Sequence, residues 1–227
     1  MIKKKQDFFE YVSENLTEFK KQRILDISSN RTDHITVVLE NTLESKDNSG
    51  AIRTCECFGI NSVYVIENTI RYKVNPDVAM GSFKWLNIHR FNKRENNNSL
   101  DSINYLKKKG YKIVSLVPDR NAKPLNQLDL SKKIAIFFGS EEDGLSDEVL
   151  NNSDELITIP MHGEVESFNL SASVGMTLHN IIYKLNKEKF DYKLKEDELL
   201  DLRLFWIKKL LKSYHIHEKR FNELELE

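Results

Sequence analysis

The sequence predicts an α/β protein: a mostly parallel sheet covered by helices on both faces. Three observations carry that expectation. Runs such as Ile35–Leu39, Val63–Ile66 and Ile134–Phe138 are near-continuously apolar, as strands buried on both faces are. Stretches with apolar residues three and four apart alternate with them. Glycine or proline marks many of the junctions, as at Gly59, Gly110, Pro118, Gly139 and Pro160.

Taken in order, residues 1–30 read as helical, because Phe8, Phe9, Val12, Leu16 and Phe19 recur at helical intervals. Strand 35–39 leads through a polar turn, 41–49, into a helix that begins near Gly50 and stops at Gly59. Strand 63–66 follows, then a loop with Asn75-Pro76 and a short helix over 77–84. Residues 88–91 form another strand, 100–109 a helix ended by Gly110, and 113–117 a strand ended by Pro118. The strand 134–138 flows into Gly139-Ser-Glu-Glu-Asp-Gly-Leu145 and a helix near 146–151. A last strand, 156–159, precedes a helix over 168–186. After a charged connector, 188–197, Leu200, Leu204, Trp206, Ile207, Leu210 and Leu211 define an amphipathic helix. The expected organisation is a helical extension over 1–30, a main domain over 31–187 and a helical extension over 188–227.

The chain has 227 residues, 40% hydrophobic and 30% charged, which suits one large soluble domain with short additions. Its net charge of −1 gives no global sign of a nucleic-acid binder. Locally, residues 203–220 carry six Lys or Arg against the single acid Glu218. Such a cluster can grip phosphates or can simply be a solvated helix face. Cys55 and Cys57 stand one residue apart, so on a helix they point different ways, and neither a disulfide nor a zinc site is expected. With no apolar run of membrane-spanning length and no signal-peptide core, a cytoplasmic protein is expected.

Three strand-to-helix junctions could do chemistry. In the first, Ser49, Gly50 and Ala51 permit close backbone approach, and Arg53 lies one turn into the helix. Arg53 could reach a phosphate, or it could pair with Glu56 or Glu141. The second, 136–145, has neither the G-x-G-x-x-G spacing nor a P-loop. Its acids Glu141, Glu142 and Asp143 favour a positively charged cofactor over a triphosphate, unless they merely complement a helix dipole. The third, 157–173, offers Ser167, Asn169 and Ser171. A Ser167–His162 hydrolase is disfavoured, since no G-x-S-x-G turn is present; His162 and His179 read as structural or exposed.

Together, Gly-Ala-Ile-Arg-Thr-Cys-Glu-Cys-Phe-Gly (50–59), Phe-Gly-Ser-Glu…Gly-Leu (138–145) and Ile-Pro-Met…Gly…Ser-Phe-Asn-Leu-Ser (159–171) resemble motifs one, two and three of the SPOUT methyltransferases. The resemblance spans about 34–186 and is strongest to the TrmH subfamily, the tRNA guanosine-18 ribose 2′-O-methyltransferases. It implies a deep C-terminal trefoil knot, S-adenosylmethionine bound in the knot, a homodimer, and RNA lying across the subunit interface. None of this follows from periodicity, and ordinary connection rules disfavour a knot. The resemblance places Leu116, Gly139, Ile159 and Phe168 around the cofactor. It gives Arg53 to the ribose hydroxyl and its phosphate, Glu141 to motif two, and Ser167 and Asn169 to motif three. One position departs from the pattern: the motif-one asparagine falls on Asp47, with Asn48 next to it, and Asn48 is favoured for the role.

The expected activity is methylation of guanosine 18 in the D-loop of tRNA, without a metal. Arg53 is expected to position the ribose, because a free guanidinium holds its proton tightly and is a poor base. Lys208, Lys209 and Lys212 are the expected RNA-binding residues. The alternatives are methylation of 23S rRNA and a non-catalytic RNA-binding module.

Overall fold

The computed structural model describes residues 2–42, 45–73 and 75–224. They form two compact units: Met1–Arg31 with Lys193–Glu227, and Thr32–Tyr192. The two chain ends, read from the sequence as separate extensions, thus belong to one body. Among the described residues no helix is long and apolar enough to cross a membrane.

The terminal unit holds α1 (Ile2–Ser13), α2 (Glu18–Ser28), α8 (Glu196–Leu210) and α9 (Tyr214–Leu224). α1 and α2 are separate because the chain turns between them, and Thr17 caps α2 by accepting from the Lys20 N–H. Phe8 packs on Tyr214 and Phe221 at ring separations of 5.7 and 5.1 Å, joining α1 to α9. Lys5 bridges to Asp197 at 2.7 Å and Asp201 at 2.8 Å, joining α1 to α8. Arg203 lies over the Phe9 ring and donates to Ser28 Oγ at 2.9 Å. This arginine of the basic segment is therefore spent on packing. α9 lies beyond the one amphipathic helix that the sequence pattern defines in this segment.

The main unit holds β1 (Ile35–Glu40), α3 (Ser45–Cys57), β2 (Ser62–Ile66), α4 (Pro76–Ala79), β3 (Asn87–Phe91), α5 (Asn98–Lys108), β4 (Lys112–Leu116), β5 (Lys123–Pro124), β6 (Ile134–Phe138), α6 (Asp147–Asn152), β7 (Glu155–Thr158) and α7 (Leu170–Lys187). The strands order as β3-β2-β1-β6-β4-β7-β5, and every ladder among them is parallel. Alternation along each strand divides the core. Ile35, Val37, Leu39, Ile134, Ile136 and Phe138 face α3 and α7. Val38, Ala135 and Phe137 face Ile103 and Leu106 of α5 and Val149 of α6. Both faces of β1, β2 and β6 are buried, which is why these strands read as largely apolar runs.

Several boundaries differ from the sequence reading. α3 starts at Ser45, five residues before Gly50, although part of the expected polar turn (43–44) lies outside the described residues. Asp47, in its first turn, suits the positive end of the helix dipole. The helix expected over 77–84 is broken at Met80 and Gly81, both at positive φ, leaving α4 and a 3₁₀ turn at Ser82–Lys84. The connector after 187 stays with the main unit through Tyr192: Phe190 lies 4.9 Å from the His34 ring, and Tyr192 Oη donates to Asn186 Oδ1 at 2.8 Å.

Candidate active site: a cleft at the carboxyl edge of the sheet

β1, β6, β4 and β7 are neighbours, so the loops that leave their carboxyl ends converge on one edge. There a cleft of about 520 Å³ opens between the segments after β4, β6 and β7. That volume lies in the range of small-ligand pockets, roughly 300–1,000 Å³. Leu116, Gly139, Ile159 and Phe168 all line it, as do Glu141 and Ser167. Six residues, from motifs two and three and from the end of β4, are thereby brought to one space.

The loop after β6 owes its shape to two glycines. A Cβ on Gly139 would stand 2.1 Å from the Gly144 carbonyl carbon, so only glycine fits there. Ser140 and Gly144 close the loop through paired backbone hydrogen bonds, Ser140 N to Gly144 O at 3.2 Å and Gly144 N to Ser140 O at 3.1 Å. Gly144 adopts φ 69° to complete the turn. Ser146 then caps α6, its Oγ accepting from the Val149 N–H. The acids Glu141, Glu142 and Asp143 border the cleft. Glu141 has a structural partner: its Oε1 accepts from the Leu170 N–H at 3.0 Å, at the positive end of α7.

Asn169 is the N-cap of α7, and its Oδ1 accepts from the Ala172 N–H at 3.0 Å and from Ser171 Oγ at 2.9 Å. Its Nδ2 donates to Asp47 Oδ1 at 2.7 Å. Asn48, favoured for the motif-one role, does not reach motif three. Because α3 starts early, position 48 turns into the protein interior: Asn48 is 0% exposed and its Nδ2 donates to the Thr42 carbonyl at 3.2 Å. Asp47, one position earlier, is the residue that meets motif three.

Arg53 is exposed on α3 and has no hydrogen bond or ion pair among the described residues. Pairing with Glu56 or Glu141 does not occur, and the guanidinium is open to a ligand. It does not line the cleft itself. Cys55 is buried and Cys57 exposed, both unlinked, as their one-residue offset on a helix requires. Burial pushes the Cys55 thiol well up, so it is no nucleophile. His162 and His179 are exposed, His179 stacking on Tyr183. In the terminal unit Lys208 lies over the Tyr214 ring at 5.6 Å and Lys209 over Phe205 at 4.0 Å, while Lys212 is exposed.

The sequence reading missed Glu40. It is 1% exposed at the end of β1, and its carboxylate accepts from Ser99 Oγ, from Ser146 Oγ at 2.7 Å and from Ser146 N at 2.9 Å. The available signal was an acid closing an otherwise apolar strand.

Residues 34–179 match the SpoU rRNA Methylase family. The chain is 36% identical to a tRNA (guanosine(18)-2′-O)-methyltransferase of Borreliella burgdorferi, over 93% of this chain and 94% of the relative. Its fold is similar to that of the Aquifex aeolicus TrmH/SpoU tRNA modifying enzyme, with a TM-score of 0.76 at 22% identity, covering 86% and 98% of the two chains. It is also similar to an AdoMet-bound rRNA methyltransferase from Sinorhizobium meliloti, with a TM-score of 0.57 at 22% identity, covering 71% and 60%.

Proposed function

The chain belongs to the SpoU methylase family, and from that premise we propose that it is an S-adenosylmethionine-dependent ribose 2′-O-methyltransferase acting on guanosine 18 in the D-loop of tRNA. The observation that carries this reading is the 36% identity, over nearly the whole of both chains, to a relative named for that reaction.

The residues present fit the cofactor. The cleft has apolar walls in Leu116, Ile159 and Phe168, exposed backbone at Gly139, and an acidic border at Glu141, Glu142 and Asp143. That combination suits an adenosine joined to a positively charged centre. We assign Leu116, Gly139, Ile159 and Phe168 to holding it. When bound, S-adenosylmethionine supplies an electrophilic methyl group on its sulfonium.

The chain's own task is to align a ribose oxygen with that methyl group and ease away its proton. Arg53, exposed and without a hydrogen bond or ion pair among the described residues, would hold the ribose and its phosphate by charge-assisted hydrogen bonds. A guanidinium is a poor base, so the proton passes to the neighbouring phosphate or to a water. Ser167 and Asn169 orient the sugar, and Glu141 keeps the first turn of α7 beside the cleft loop. The reading includes a trefoil knot in the main unit and a homodimer with RNA across its interface. Lys208, Lys209 and Lys212 would contact phosphates. A cytoplasmic location goes with that substrate.

The test is incubation with labelled S-adenosylmethionine and either unmodified tRNA or rRNA, followed by mapping of the methylated nucleotide. Label at guanosine 18 of tRNA is the expected result. Label only in rRNA would replace the substrate, and label in neither would leave an RNA-binding protein without turnover.

A further inference from the structure

We infer that Asp47 is a positioning residue of the methyl-transfer site, one that acts through Asn169; the inference rests on the function proposed above. The two residues lie 122 positions apart and are joined at 2.7 Å, Asn169 Nδ2 to Asp47 Oδ1. A carboxylate only accepts hydrogen bonds, so it can meet only the nitrogen end of the Asn169 amide. The Ala172 N–H only donates, so it can meet only the oxygen end, and it does so at 3.0 Å. Ser171 Oγ reinforces the second contact at 2.9 Å. Held at both ends by groups of fixed polarity, the amide has one orientation. An amide at position 47 could present either end, and it would remove half of that constraint.

The same bond sets the spacing between two motifs. Asp47, Gly50 and Thr54 recur at helical intervals along α3, on the side that faces α7. A Cβ on Gly50 would stand 2.9 Å from Ser171 Cβ, and Thr54 Cγ2 lies 3.8 Å from the position of a Cβ on Gly175. The helices therefore touch closely along this line, and the Asp47–Asn169 bond fastens its open end. α3 carries Arg53, while the loop before α7 carries Ser167 and Asn169. The distance between the phosphate-holding arginine and the polar pair that orients the sugar is thus governed by a contact that need not touch the substrate.

A double-mutant cycle on Asp47→Ala and Asn169→Ala tests this, with kcat and KM for RNA, cofactor affinity by calorimetry, and the chemical shift of the Asn169 side-chain amide. Misplacement of an orienting group by about 1 Å can cost on the order of 100-fold. Asp47→Ala should therefore lower kcat by about 10- to 100-fold, leave cofactor affinity near wild type, and shift the Asn169 amide signal. Asp47→Ala introduced on top of Asn169→Ala should add little, since Asp47 acts only through Asn169. Asp47→Asn, which keeps an acceptor, should recover part of the loss. Additive effects on kcat, or an Asn169 amide signal unmoved by Asp47→Ala, overturn the inference. If the wild-type protein methylates no RNA, the proposed function falls, and the amide signal still decides whether Asp47 orients Asn169.

Discussion

Glu40 and Ser146 are joined by two hydrogen bonds, from the Ser146 N–H to Oε2 at 2.9 Å and from the Ser146 hydroxyl to Oε1 at 2.7 Å. Ser99 supplies a third donor, and Asn68 Nδ2 donates in turn to the Ser99 hydroxyl at 2.7 Å. The buried carboxylate is thus met by neutral donors from two helix starts. It fastens the exit of the cleft loop to the end of β1.

Glu40→Gln converts one of those acceptor oxygens into a donor facing other donors. An unsatisfied buried polar group costs roughly 1–3 kcal/mol, so urea unfolding should show a loss of that order. Cofactor affinity should fall as well, because the Gly139–Leu145 segment loses its anchor. Wild-type stability in Glu40→Gln would show that the network relaxes without cost.

Gly139 offers a sharper test of the cleft. Gly139→Ala puts a methyl group where the Gly144 backbone already lies, and neither side of that contact is a flexible chain end. Cofactor binding measured by calorimetry should be lost or weakened by at least about tenfold, a cost of about 1.4 kcal/mol. Gly163→Ala is the control: nothing lies within 4 Å of its added Cβ, and binding should be unchanged. Equal affinities for the two variants would place the cofactor elsewhere.

Arg53→Ala separates chemistry from architecture. The side chain is exposed and unpaired among the described residues, so melting temperature and cofactor affinity should stay near wild type. Methyl transfer should drop by about 100-fold or more, as expected when a substrate-positioning group is removed. Unchanged turnover would take Arg53 out of the reaction.

The parallel sheet was legible because its strands are buried on both faces, and β6 was read to the residue. The start of α3 was not, since Ser45–Ser49 has no apolar periodicity and its residues favour caps and turns in isolation. A tertiary contact, Asp47 with Asn169, holds this stretch against the start of α7. That five-residue difference decided which neighbour, Asp47 or Asn48, faces Asn169. β5, two residues ending in Pro124, leaves no pattern to read. The cleft residues were named through the family resemblance, because backbone-lined positions such as Leu116 and Ile159 carry no chemistry of their own. Glu40 gained its role from partners 59 and 106 positions away.

Acid should weaken the fold before its carboxylates protonate. Burial holds the His34 imidazole below its ordinary 6.5, only partly offset by the contact of Nε2 with the Leu130 carbonyl at 2.8 Å. Burial, with Lys109 nearby, lowers His89, which stacks on Tyr64 at 4.7 Å. In both, the unfolded chain takes up its proton at a higher pH than the native state does. Their contribution is therefore complete above about 6.5 and is lost as pH falls from there toward the native values. The denaturation midpoint should be lower at pH 5.5 than at pH 7.5, and His34→Gln should flatten that dependence. Glu67 and Glu155, held low against burial by Arg90 and by Lys112 and Lys123, act only below about 4.5. A midpoint that is constant between pH 7.5 and 5.5 would mean that neither imidazole is buried neutral.

Salt dependence reads out the terminal unit. Lys208 and Lys209 rest over aromatic rings, which limits their freedom, and Lys212 follows on the exposed side of the turn after α8. If the three neutralise phosphates, replacing all of them by alanine removes about 0.9 of log–log salt slope per lost duplex contact, hence up to about 3 in total. Affinity should fall most at low salt and converge with wild type as salt rises. The lost ring contacts cost only about 0.5–1 kcal/mol each at exposed sites, so unfolding should change little. A triple variant with the wild-type slope would make these lysines packing residues around Tyr214 and Phe205. The RNA would then be held by cations of the main unit, beginning with Arg53.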